Sequence, residues 1–192
     1  MRHAFSAACL IALLPAAAGA QTLRAQTLRS TGTPTDLPKI HITSTTFAAG
    51  ARQPRSVAFA ACGGDNISPQ LSWSGAPAGT KSFALTEFDR DAPTGVGFWH
   101  WLVVNIPPSV TSLPAGAALP AGAVAGMTDH GLPGYQGPCP PVGDYPHHYT
   151  FTISALNVAS LPVNADTTGP AVQMALRGHV IAQGTYVGIY AR

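Results

Sequence analysis

Asp89-Arg90-Asp91-Ala92-Pro93 leads into Phe98-Trp99-His100-Trp101-Leu102-Val103-Val104-Asn105-Ile106, and these two stretches decide how the chain folds and where its chemistry lies. The second stretch is almost wholly apolar over strand length, the pattern of a β-strand covered on both faces. Pro107-Pro108 stops it, because proline offers no N–H to a ladder. The first stretch is a turn carrying two acids two residues apart and a proline that fixes its shape. Only 9% of the residues are charged. Two acids and a histidine beside buried-type strands therefore mark a polar site. A second cluster, Gly137-Pro138-Cys139-Pro140-Pro141 followed by His147-His148-Tyr149-Thr150-Phe151, reads as the other wall of one small pocket.

Working outward, Ile40 to Phe47, Leu71 to Trp73, Ser82 to Phe88, His148 to Leu156 and Thr185 to Tyr190 carry strand-type residues, several with period-two alternation. Leu113 to Gly126 reads as a long surface excursion. Asp129 to Asp144 is so rich in Gly and Pro that it must be loop, yet Tyr135 and Cys139 argue that it is ordered. Thr168-Gly169-Pro170 offers a helix start. Ala171 to Ala182 is the one convincing helix, with Gly184 as its stop. The expected fold class is all-β dominated, an antiparallel assembly with one late helix.

The first 20 residues read as a cleaved signal peptide: a basic start at Arg2, an apolar core from Ala7 to Ala18, and Ala18-Gly19-Ala20 before Gln21. That core is too short to span a bilayer, so no stable membrane anchor is expected. The domain reading is 1–20 signal, 21–38 a flexible Thr- and Pro-containing leader, and 39–192 one folded domain. A periplasmic or secreted location follows. Without Arg2 the chain carries nine Lys and Arg against eight acids, a balance that leaves no electrostatic footprint for nucleic acid. Cys9 leaves with the signal. Cys62 and Cys139 remain as an even pair in an oxidising compartment and are expected to form a disulfide; the alternative on the residues alone is two buried free thiols. Closing a loop of about 78 residues would add about 4 kcal/mol on the chain-entropy account.

The order and spacing of Asp65-Asn66-Ile67-Ser68-Pro69, the Asp-x-Asp-Ala-Pro turn, His100-Trp101-Leu102-Val103-Val104-Asn105-Ile106-Pro107, Gly137-Pro138-Cys139-Pro140-Pro141 and the His147-x-Tyr149-x-Phe151 strand resemble the phosphatidylethanolamine-binding protein (PEBP) family, in its bacterial Raf-kinase-inhibitor-like branch. The resemblance runs from about Cys62 to Tyr190. It implies a PEBP-like antiparallel β-sandwich with Greek-key connections. It also implies a small cavity for phosphate-like or carboxylate anions, including phospholipid head groups, with no cofactor and no metal. Carried over by position, the ligand-binding residues are Asp89, Asp91, Pro93, His100, Gly137, Pro138, His147 and Tyr149. His100 and His147 are expected to donate to the anion while Asp89 orients one imidazole. Backbone N–H groups of the Gly/Pro loop would complete an anion receptor.

The chain departs from the family pattern at four places. Arg90 replaces the usual proline of the acidic turn and places a cation near the mouth or beside Asp91. His148 replaces an arginine, and strand alternation turns it away from His147 and Tyr149. His130 stands where an aromatic is common. The chain ends at Arg192 without the C-terminal helix that covers the pocket in many eukaryotic members, which implies a more open mouth.

Several readings stay open on the residues. The Asp/His cluster could be a structural hydrogen-bond network, and two Asp with two His could hold a divalent ion. Trp99 could flank a ligand. Lone His41 and His179 read as structural. The leading function is an exported small-anion or head-group binding protein, not an enzyme, with a partner protein open. The alternatives are an inhibitor of a protease or kinase, or a hydrolase using the Asp/His pocket. Ser68 lies before Pro69 outside any Gly-x-Ser-x-Gly elbow, and a bonded Cys139 could not act as nucleophile.

Overall fold

The computed structural model describes residues 37–192; the signal-peptide reading and most of the leader lie outside the described residues. Strands β1 (His41–Thr43), β2 (Leu71–Ser74) and β5 (Ser112–Leu113) form a three-stranded antiparallel sheet in the order β1-β2-β5. The larger sheet contains β3 (Ser82–Asp89), β4 (Phe98–Ile106), β6 (Val124–Ala125), β7 (His147–Leu156) and β8 (Val180–Tyr190) in the order β6-β4-β3-β7-β8. All of its strand pairs are antiparallel. After the β3–β4 hairpin the chain makes a long excursion and returns with β7 beside β3, the crossing of a Greek key. Helix α1 spans Gly169–Leu176.

The apolar run read as a doubly covered strand is one. In β4, Trp101 and Val103 face the core between the sheets, with Phe83, Leu85, Phe151 and Trp73. Leu102 and Val104 face the other side, against Leu161, Val172 and Leu176. Leu102, Val103 and Val104 are wholly buried, each worth about 2 kcal/mol of transfer free energy. In β7 the alternation is equally plain: His147, Tyr149 and Phe151 are buried and His148, Thr150 and Thr152 are not.

The late helix and last strand differ from the expected bounds. The helix stops at Leu176, Gly178 turns the chain at φ +81°, and the strand begins at Val180 instead of Thr185. Gly178 interrupts the helix and Val180-Ile181 favour a strand, and pairing β8 along the whole of β7, from Leu156↔Val180 to His147↔Tyr190, satisfies more backbone. Gly184 is mid-strand and no helix stop: a Cβ there would run into the Ile40 carbonyl, whose chain crosses β8 at this point. Pro170 does lie in the first turn, although the Thr168 hydroxyl makes no capping bond. The expected strand 40–47 shrinks to three residues, and the 113–126 excursion contributes the two-residue β6.

Candidate functional site

One end of the large sheet gathers the polar residues, because antiparallel pairing places the end of β3 beside the starts of β4 and β7. Asp89 lies opposite Phe98 on one side and Tyr149 on the other. There the sheet carries a cavity of about 180 Å³, small against the usual drug-sized pocket. Asp89, Pro93, His100, His147 and Tyr149 line it. Phe98, His130 and Thr94 join them, with Cys139-Pro140-Pro141 as the far wall.

The cavity is built of aromatic edges with few polar atoms. The His100 ring stands edge-on to Tyr149 at 5.1 Å and to His130 at 5.4 Å, and Phe98 packs on His100 at 5.0 Å. Asp89 Oδ2 lies 2.7 Å from His147 Nδ1, and both side chains are buried. His147 Nε2 lies 3.4 Å from Asp144 Oδ2. Carboxylates only accept, so both His147 nitrogens donate and the ring is an imidazolium. Burial alone would lower its pKa; the bond and charge of Asp89, with those of Asp144, outweigh burial and raise it.

His100 is the opposite case. Its Nδ1 lies 2.7 Å from the Gln136 carbonyl. A carbonyl only accepts, so Nδ1 carries the proton and Nε2 keeps a lone pair. Burial pushes its pKa down to about 3, against the opposing pull of Gln136, so the ring is neutral. The Tyr149 hydroxyl is buried and makes no hydrogen bond of normal geometry, although the Asp89 carboxylate and the Cys139 N–H lie beside it. Burial first, then the charges of Asp89 and Glu87 and the closeness of the Asp89 carboxylate, raise its pKa against the pull of the Cys139 N–H, so it keeps its proton.

Three of the expected ligand residues do not line the cavity. The Asp91 carboxylate turns outward, 2.7 Å from His148 Nδ1 and 2.8 Å from the His148 N–H. Its backbone N–H serves the site by donating to Asp89 Oδ1 at 2.9 Å. Burial works against its charge, but the His148 bonds, with the charges of His148 and Arg90, hold its pKa low. Gly137 donates its N–H to Asn66 Oδ1 at 2.8 Å, and the Pro138 carbonyl accepts from Phe59 N–H at 3.0 Å. These two residues anchor the loop from behind; a Cβ on Gly137 would meet the Val57 carbonyl. The expected fan of free backbone donors shrinks to one: Gly137 is engaged, the three prolines of the loop have no N–H, and the Cys139 N–H lies against the Tyr149 hydroxyl. Asn66, at φ +53°, clamps the loop twice, because its amide nitrogen also donates to the Tyr135 carbonyl at 3.1 Å.

Other positions resolve plainly. Arg90 is exposed and edges open grooves outside the cavity. Trp99 packs on Phe88 at 4.4 Å on the other sheet face, away from the cavity. Cys62 and Cys139 are joined, with Cα atoms 5.7 Å apart, tying the Asn66 segment to the cavity wall. His179 Nδ1 lies 3.2 Å from Asn157 Oδ1, and His41 is exposed. Asp144 and the Gln136 carbonyl, which set the states of the two cavity histidines, carry no motif that singles them out in sequence. Among the described residues no group of three or more His, Cys, Asp and Glu is placed to hold a metal ion.

A sandwich with a small, aromatic-lined cavity holding a few polar groups at one sheet end has the form of a ligand-binding protein. The profile described as phosphatidylethanolamine-binding protein matches residues 43–191, and the chain belongs to that family. It is 46% identical over 157 residues to the UPF0098 protein YbcL of Escherichia coli, spanning 78% of this chain and 86% of YbcL. It is 42% identical over 133 residues to YbhB of the same organism, spanning 67% and 84%. The crystal structure of E. coli YbcL superposes with a TM-score of 0.77 at 44% identity, over 80% of this chain and 99% of that one. The PEBP homologue CT736 of Chlamydia trachomatis superposes at 0.72 and 35% identity, over 81% and 99%.

Proposed function

We propose that this chain is an exported receptor that binds a small oxyanion, phosphate or a phosphorylated head group, without turning it over. One observation carries the reading: the Tyr149 hydroxyl and His130 Nε2, both buried without a hydrogen bond of normal geometry, line a cavity that fits a ligand of a few heavy atoms. A buried unpaired donor costs about 1–3 kcal/mol, which an incoming acceptor recovers. Asp89, Pro93, His100, His147 and Tyr149 contact the ligand in this reading. Asp91, Gly137 and Pro138 shape the site from outside. Binding without turnover is favoured because the cavity offers no activated nucleophile. The Thr94 hydroxyl donates to the Gly97 carbonyl at 2.6 Å, and Cys139 is bonded.

Calorimetric titration with inorganic phosphate and with phosphoethanolamine tests the reading. Saturable one-site binding of at least one is expected; silence with both overturns it. Export rests on the basic start, apolar core and A-x-A site of residues 1–20. A joined cysteine pair fits an oxidising compartment. N-terminal sequencing of the mature protein is expected to begin at Gln21, and a cytoplasmic product retaining Arg2 contradicts it.

A further inference from the structure

Most of the donors around the cavity are already engaged. Both His147 N–H groups are spent on Asp89 and Asp144. The His100 N–H is spent on Gln136, and the Gly137 N–H on Asn66. What faces the cavity is the Tyr149 O–H, which can donate, the buried unbonded His130 Nε2, which donates or accepts with its tautomer, and the His100 Nε2 lone pair with the remaining lone pairs of Asp89, which can only accept. A fully ionised oxyanion brings acceptors alone. It would satisfy Tyr149, leave His100 Nε2 facing a like lone pair, and set its charge against the Asp89 carboxylate.

Resting on the receptor reading above, we propose that the cavity selects phosphate carrying one proton: its P–OH donates to His100 Nε2, while an ionised oxygen accepts from the Tyr149 hydroxyl. The shared chemistry is that of a phosphomonoester or inorganic phosphate. The diester of an intact phospholipid has no P–OH to give. The same arithmetic separates phosphate from sulfate esters, which match it in shape and lack the proton at any pH the protein tolerates.

Protein groups around His100 and the Asp89–His147 pair also titrate or carry charge. They are Asp89 and the deeper Glu87 on β3, His147 and Tyr149 on β7, and His130, Asp144 and Tyr145 in the loops. Their ionisation acts on any anion in the cavity. A pair of ligands that differ only in a proton therefore separates the ligand's titration from the protein's.

The experiment is calorimetry of the folded chain with methyl phosphate, methyl sulfate, dimethyl phosphate and ethanolamine between pH 5 and pH 8. At pH 5 methyl phosphate and methyl sulfate carry the same charge. Methyl phosphate is expected to bind at least about tenfold more tightly, the cost of leaving a buried acceptor unpaired. The ratio is expected to fall by about tenfold per pH unit above the ester's second ionisation near pH 6. Inorganic phosphate and dihexanoyl phosphatidic acid, both bearing a P–OH, then tell whether free phosphate or a lipid monoester is the better occupant; tighter binding of either than of methyl sulfate supports the proposal. Equal affinity for the two methyl esters, or dimethyl phosphate or ethanolamine binding as tightly as methyl phosphate, overturns the proposal. An oxyanion receptor survives the first two results. Silence from every phosphate and sulfate removes the receptor reading as well.

Discussion

Asp89 stands directly opposite Tyr149 in the β3–β7 ladder, yet its carboxylate bonds to His147, two residues along the same face. One acid thus faces the cavity tyrosine and holds the imidazolium beside it. Replacing it is expected to change both stability and its pH dependence. Asp89→Asn is expected to cost about 2–3 kcal/mol at pH 6, because a buried charged ring is left with a weaker partner. The His147 pKa is raised in the folded state, so its contribution is full below the unfolded histidine pKa and fades as pH rises through the folded value. Urea denaturation at pH 6 and pH 9 checks this: the gap between wild type and variant is expected to narrow at pH 9. A gap that widens contradicts the imidazolium assignment.

Glu87 lies deeper on the same strand, fully buried, with neither carboxylate oxygen hydrogen-bonded. Burial first, and the charge of Asp89 second, push its pKa well above the ordinary carboxylate value. An acid with a raised folded pKa destabilises as pH climbs above its unfolded pKa, since only the unfolded chain then gains by ionising. Glu87→Met, close in volume and apolar, is expected to stabilise the fold by about 1–2 kcal/mol at pH 7 and by less at pH 4. Thermal unfolding at the two pH values is the check, and a destabilised variant at pH 7 would show that Glu87 has a partner after all.

The outer pair gives a contrast. Asp91 and His148 are partly solvent-exposed, at 19% and 42% of their side-chain surface, so their ion pair is worth less than about 1 kcal/mol. Asp91→Ala is expected to leave phosphate affinity within about twofold, because the bond from residue 91 to Asp89 comes from its backbone. The Asp91 pKa is lowered, so its small contribution is present above the unfolded carboxylate pKa and is lost as pH falls through the folded value. A tenfold loss of affinity would place the Asp91 carboxylate in the site.

The Cys62–Cys139 bond closes 77 residues of sequence and ends on the cavity wall. Thiol labelling of the denatured, unreduced mature protein is expected to find no free thiol. Reduction is expected to cost up to about 4 kcal/mol and to weaken phosphate binding. Two labelled cysteines per chain would dispose of the bond.

What the sequence made legible follows from how local each cause is. β4 and β7 could be read because burial on two faces, or on one, writes itself into consecutive residues. Helix α1 ends earlier than the sequence reading has it because Gly178 and the β-branched Val180-Ile181 oppose the helix locally, and the ladder to β7 that claims them is a non-local partner. The cavity residues were legible through motifs, but their protonation was not. The His100 tautomer is set by a carbonyl 36 residues away and the Gly137 N–H is consumed by a side chain 71 residues away. Pro93 and Gly137 sit in equally distinctive motifs. Only the folded loop shows that one faces the ligand space and the other faces away.

The central claim is that the cavity is a binding site completed by its ligand, and Tyr149 tests it most directly. Tyr149→Phe removes a buried hydroxyl that makes no hydrogen bond of normal geometry, so stability is expected to hold or rise slightly. Phosphate binding at pH 6, measured by calorimetry on the same preparation, is expected to weaken about tenfold with the loss of that donor. Unchanged phosphate affinity in a fully folded Tyr149→Phe chain would contradict the account.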